Sequence, residues 1–265
     1  MFIGKMVTEA IPIRVFSLCK IIGSSKKKLT KLEVKDLMEP KELNTSDTQY
    51  FYEVLKAAEE LKLLEITDNY IELLVDFNSI KTIESFRGYV IDKLNFLQQS
   101  HFYNVSKAII NMNEDILMKE YKLSDAPMIN YITEKIKEDI NANEMRGWRF
   151  WASFIGLGYE YNSSFLPNGY TYVKEVIKLM NLEENVEYPI DDFMNNFAKK
   201  GSIITNYDES NKQLNLAFSN ALRQLQDSGE IELKHVSDQL SNYVLYPTNE
   251  LYNLPVSAIV CKGVK

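Results

Sequence analysis

Two histidines and two cysteines are the residues here with the most varied chemistry, and none has a useful neighbour. His101 and His235 lie outside any HExxH, HxE or cysteine-rich context, so no zinc site is expected. A Ser-His-acid or Cys-His centre must use one of the two, and no GxSxG nucleophile context is present. No Walker lysine loop or GxGxxG appears. The short GLGY at Gly156 to Tyr159 follows a helix pattern rather than a strand. Paired carboxylates occur at Glu183-Glu184 and Asp191-Asp192. Acids in a linker and at a helix start favour solvation and the helix dipole, which is the plainer reading of both. No catalytic residue, metal ligand or cofactor is assigned, and the chain is expected to be non-enzymatic.

Phosphate and base recognition is the chemistry that remains. From Lys20 to Lys31 there are five lysines and no acid, with Lys26, Lys27 and Lys28 consecutive. Such a run neutralises phosphates, although a solvated loop has the same composition. From Asn211 to Gln226 there are two bases, Lys212 and Arg223, and no acid. Gln213, Asn215, Ser219, Asn220 and Gln224 share that stretch. Amides bond adenine edges in pairs, and Lys or Arg reaches guanine or phosphate. Lys26, Lys27, Lys28, Lys212, Gln213, Asn215 and Arg223 are therefore the candidate nucleic-acid-binding residues. The competing reading is that amides merely fill a solvated face.

These residues must be positioned by a helix and a hairpin. Leu214, Ala217, Phe218, Ala221, Leu222 and Leu225 recur at the spacing of a helix with one buried face. Ser228-Gly229 stops that helix. Ile231, Leu233 and His235 alternate with charged residues, Ser237-Asp238-Gln239 supplies turn chemistry, and Tyr243 to Tyr246 returns. A helix running into a hairpin, here spanning Ile231–Tyr246, is the second half of a winged helix, in which that helix enters a DNA major groove.

The same succession is expected near the N-terminus. Residues 1–10 read as an irregular arm, and Pro12 opens a helix that runs to Gly23. A short second helix ends at Pro40. Ser46 and Gln49 resemble a capping box for a third helix, and a hairpin spans Leu64–Leu74. That third helix, from Asp47 to Lys62, carries four acids against two lysines and suits phosphate poorly.

Residues 77–169 read as all-helical, with helices at 82–99, 102–112, 128–140 and 143–154. The last contains WRFWASF, in which Trp148 and Trp151 fall mostly on one face and are expected to be buried. From Tyr170 the helix, helix, helix, hairpin order returns, with Pro189 opening one helix and Gly201 closing it. The tail from 248 holds AIVC, either an edge strand or a packed extension. The expected fold is mainly α with small β wings. It has two winged-helix domains, 1–76 and 170–265, flanking a helical middle domain, 77–169.

Composition sets limits on partners. The net charge is −7, which argues against a non-specific nucleic-acid coat but leaves local basic faces. No apolar run approaches the ~18 residues that cross a bilayer, and no signal-peptide pattern is present, so a cytoplasmic protein is expected. Two isolated cysteines fit a reducing compartment. Charge leaves two functions open: a DNA-binding module, or an interaction subunit whose winged helices dock proteins. The winged-helix succession, the helical block and the GWRFWASFIGLGY segment together resemble accessory proteins of the DpdG type from bacterial anti-phage and DNA-modification islands. The resemblance implies a non-enzymatic subunit working beside a nuclease, helicase or modification enzyme, and the basic and amide residues named above add duplex DNA as a candidate partner. It carries over no individual residue.

Overall fold

Pro12 opens the first helix where its missing N–H has no partner to lose. This computed structural model describes residues 1–40, 42, 50–118, 120–205, 207–208, 212–235, 241–247 and 255–264. Helix α1 (Pro12–Ser24) leads through a two-residue strand, β1 (Leu29–Thr30), into α2 (Lys31–Met38). A capping box between Thr30 and Glu33 starts α2. Helix α3 (Tyr50–Glu60) then runs into the expected hairpin, β2 (Leu64–Thr67) and β3 (Tyr70–Leu73). Its turn is Asp68-Asn69, at φ 50° and 72°, the left-handed pair that matches strand twist. Strand β1 adds to the other side of β3, so the order is β1-β3-β2, all antiparallel. The expected capping box at Ser46 and Gln49 lies outside the described residues.

The middle region contains α4 (Ile83–Leu94), α5 (His101–Ile110), α6 (Ala126–Ile136) and α7 (Ala142–Ile155). It is not all-helical, which corrects the sequence expectation. Strands β4 (Gly158–Tyr161) and β5 (Ser164–Pro167) form an antiparallel hairpin directly after α7. The cause is local. Gly156 leaves the helix at φ 83°, and Asn162-Ser163 turn at φ 48° and 64°. Ser-Ser-Phe after Asn162 looks like loop composition, which hides the turn.

The third region runs α8 (Tyr170–Met180), β6 (Glu187–Pro189), α9 (Ile190–Gly201), β7 (Tyr207–Asp208), β8 (Gln213–Leu214), α10 (Leu216–Asp227), β9 (Ile231–Lys234) and β10 (Ala258–Cys261). The expected hairpin between Ile231 and Tyr246 is replaced by a longer-range pairing. Strand β9 pairs with β10, and β10 also pairs with β6, giving the order β6-β10-β9. AIVC is thus a central strand, buried at all four positions. A wholly apolar strand gains most where both its edges and both its faces are covered. Val244 instead bridges Gln213, and Tyr243 bridges Val256. The turn expected at Ser237-Asp238-Gln239 lies outside the described residues.

One set of backbone hydrogen bonds recurs after α3, α7 and α10. Each helix ends in a Schellman motif: Leu63 N–H donates to Ala58 O at 3.0 Å, Leu157 to Ala152 O at 2.9 Å, and Glu230 to Leu225 O at 2.9 Å. The left-handed residues are Lys62, Gly156 and Gly229, and a strand begins two positions after each. The carbonyls of Leu63, Leu157 and Glu230 then accept from Leu74, Asn168 and Lys262, each one residue past the returning strand. The residue before that strand accepts in turn from an earlier segment: Lys31 to Asn69 O, Leu123 to Ser163 O, and Ile190 to Ser257 O. A helix running into an antiparallel strand pair therefore occurs three times, and the middle region holds one copy.

The buried apolar residues form one continuous cluster through all three regions. Trp148 and Trp151 are both fully buried, as their spacing requires. The Trp148 indole N–H donates to Ser106 Oγ on α5 at 2.9 Å, and that of Trp151 to Ala10 O at 2.6 Å. The N-terminal arm is irregular yet packed inside: Phe2 stacks edge-on against Trp151, with centroids 4.7 Å apart. Just before the first indole, Gly147 lets the arm cross α7, because a Cβ there would lie 2.8 Å from Val7 O. No described helix is long and apolar enough to cross a membrane.

Two substitutions test this packing. Trp151→Ala is expected to lose about 3–5 kcal/mol in denaturant unfolding, as large-to-small core changes do. A loss near the ~0.5 kcal/mol of a surface change would place the ring outside the core. Ala is ordinarily better than Gly inside a helix by ~1 kcal/mol. Gly147→Ala is expected to reverse that sign and lower the melting temperature. A raised melting temperature would show that the arm does not cross there.

Candidate nucleic-acid interface

The lysine run lies between α1 and β1 and lines an open cavity of about 500 Å³ with Glu72, Asp76 and Phe77. Lys26, Lys27 and Lys28 are exposed. Lys27 Nζ lies 2.6 Å from Glu33 Oε1, and Lys28 pairs with Glu72. Lys26 forms no ion pair with a described residue. Lys27, with the Thr30 backbone and hydroxyl, holds the Glu33 carboxyl down to about 2. The hydrogen bond it donates to Glu72 pushes the Lys28 ammonium above its usual value. Exposed pairs of this kind contribute little, so an arriving phosphate competes with them on similar terms.

The C-terminal candidates are not one face of a helix, because α10 begins at Leu216 and not at Asn211. Asn211 itself lies outside the described residues. Lys212 sits at φ 52° just before β8, with Nζ 3.1 Å from Asp191 Oδ1 and 2.6 Å from Ser241 Oγ. Hydrogen bonds from Ser241 and Lys212 hold Asp191 below the ordinary carboxylate value. That carboxylate stands in the first turn of α9, where the dipole favours it. Gln213 belongs to β8. Asn215 is 5% exposed and caps α10: its Oδ1 accepts from Phe218 N–H at 2.9 Å, and its Nδ2 donates to Ile204 O at 2.7 Å. A short polar residue preceding an apolar helical run is a cap signal, and here it outweighs the amide pattern.

Residues 243–246 form a strap across α10. Arg223 Nη2 donates to Tyr246 O at 2.7 Å, and Tyr246 N–H donates to Ser219 Oγ at 2.8 Å. Burial under the strap pushes the Arg223 guanidinium below its usual value. At the start of the helix, Asn113 of the middle region accepts from Leu216 N–H at 2.8 Å. Both the outer face and the N-terminus of α10 are thus engaged within the chain. The acidic balance of α3 persists at its surface. Glu53, Lys56 and Glu59 remain at least partly exposed there, whereas the Glu60 carboxylate is turned to the N-terminal ammonium of Met1, 2.9 Å away; Tyr52 sits between Lys31 and Lys35 with each Nζ 5.0 Å from the ring.

Helix α7 shows in the sequence mainly its aromatic face. Its opposite face carries Asn143, Arg146, Phe150 and Ser153, all exposed, with Arg149 half-buried beside them. The signal was present at i, i+3, i+7 and i+10, opposite the tryptophans. His101 ties the start of α7 to α5, with Nδ1 2.8 Å from Glu138 Oε2 and Nε2 3.5 Å from Glu144 Oε1. Glu144 also closes the capping box with Asn141, so this cluster has a structural task. Among the described residues no group of three metal-ligating side chains occurs. Removing the cap with Asn215→Ala is expected to reduce stability by about 0.5–2 kcal/mol, read from the urea midpoint. An unchanged midpoint would show that this side chain is free for another task.

A family model described as DpdG-like matches residues 3–239, from the N-terminal arm past β9. No curated protein and no solved structure matches the chain. The matched stretch covers the first and middle units whole and the third as far as β9, ending before the strap and β10. On that match the chain belongs to the DpdG-like family.

Proposed function

We propose that the chain is a non-enzymatic winged-helix subunit that binds or positions duplex DNA within a multi-protein bacterial system of DNA modification or anti-phage defence. The observation that carries this reading is the shared strand order of the first and third units, β1-β3-β2 and β6-β10-β9. In both, a strand between the first two helices joins the edge of the antiparallel strand pair that follows the third helix, a hairpin in the first unit and a long-range pair in the third. That succession supports the winged-helix reading, in which the third helix and the wing flank DNA. DpdG-like membership supports a role beside other proteins, with a nuclease, helicase or modification enzyme as the partner class. Two buried free thiols agree with a reducing cytoplasm.

A second reading has its own support. The coverage of α10 by residues 243–246 and by Asn113 favours a subunit whose winged units dock protein. Titrating the full chain with labelled duplex and single-stranded DNA at several salt concentrations separates the two. Duplex binding whose logarithm falls linearly with log salt is expected, with a slope of about 0.9 per phosphate contact. Neutralising Lys26, Lys27 and Lys28 together is expected to flatten that slope equally for all sequences. Absence of binding even at low salt would favour the docking reading.

A further inference from the structure

Among the described residues, α7 is the one of α3, α7 and α10 whose own outer face carries no acid and lies under no other segment. Asn143, Arg146, Phe150 and Ser153 are exposed along one line of the helix, and the one acid within it, Glu144, is buried in the cap. Arg146 Nη1 donates to Asn143 Oδ1 at 2.9 Å, which holds the guanidinium and the amide side by side. Arg149, half-buried, pairs with Glu160 on β4, and a phosphate arriving at that edge would compete with the carboxylate. The neighbouring hairpin carries Tyr159 and Tyr161, 50% and 63% exposed, on alternate positions and therefore on one face. By contrast, α10 is strapped and α3 is acidic on its outer side.

We propose that α7 is the helix that enters the major groove of duplex DNA, with Arg146 and Asn143 toward base edges, Arg149 toward a phosphate, and the β4–β5 hairpin as its wing. This placement rests on the DNA-binding reading and locates it in the middle unit. The supporting geometry is the recurring hydrogen-bond set, which makes α7 the counterpart of α3 and α10. The chemistry is complementary: arginine bonds guanine O6 and N7 in a fork, asparagine bonds adenine N6 and N7, and the tyrosine hydroxyls reach phosphate oxygens. The buried side of the same helix fixes its orientation, since Trp148 and Trp151 are locked by their indole hydrogen bonds.

The test uses the full chain and a set of labelled duplexes of differing sequence, with thermal melts to confirm folding. Arg146→Ala is expected to weaken duplex binding roughly 5- to 100-fold on preferred sequences and to level the preference among them. Arg146→Lys keeps the charge and is expected to retain most of the salt slope while losing the preference. Arg149→Ala is expected to weaken all sequences alike and reduce the slope by about 0.9. Wild-type binding that all three variants retain would overturn this placement and leave the DNA-binding reading standing. So would loss confined to the variant lacking Lys26, Lys27 and Lys28. Absence of wild-type binding at low salt overturns both.

Discussion

Two indole N–H groups, each satisfied inside the protein, hold the chain together. Burying a tryptophan gains a large apolar contribution only if its N–H finds an acceptor, because an orphaned donor costs about 1–3 kcal/mol. Trp148 finds Ser106 on α5, and Trp151 finds the Ala10 carbonyl in the N-terminal arm. These bonds oblige the arm to cross α7, and Gly147 supplies the clearance. Phe2, Phe102, Phe154 and Phe165 then close around the two rings, so that the first and middle units share one core.

The second constraint is the exit from each third helix. A left-handed residue satisfies two helix carbonyls and reverses the chain into a strand two positions on. Glycine does this without strain at 156 and 229. Lys62 does it at φ 55°, held by hydrogen bonds to Glu59 and Ala58 on either side of it. With that geometry fixed, the returning strand can come from near or far. In the first two units it returns after two residues, while in the third it is β10, beyond the strap. The insertion supplies the strap itself, so the same departure from the simple hairpin both completes the sheet and covers α10.

Charge follows the same division. The net charge of −7 is compatible with local basic surfaces because the fold separates them. Lysines 26 to 28 gather at one rim of the first unit, and acids 191 and 192 serve the start of α9. Elsewhere charges pair within the chain, as Lys174 does with Glu230 and Lys200 with Asp92.

Sequence alone determined what local rules govern. Pro12 and Pro189 mark helix starts, Gly156 and Gly229 mark helix ends, and the 3.6-residue spacing of Trp148 and Trp151 marks a buried face. The hairpin at Leu64–Leu74 was legible because Asp-Asn joins two alternating runs only a turn apart. Tertiary structure decided what depends on distant partners. Asn215 has the same side chain whether it reads a base or caps a helix, and only the position of Ile204 and the start of α10 assign it to the cap. Arg223 looks free in the sequence, and only the strap engages it. Strand β9 carries no mark that separates a partner a few residues away from one at 258–261. That choice belongs to the burial of AIVC, whose four apolar side chains are all covered only when it lies between β6 and β9.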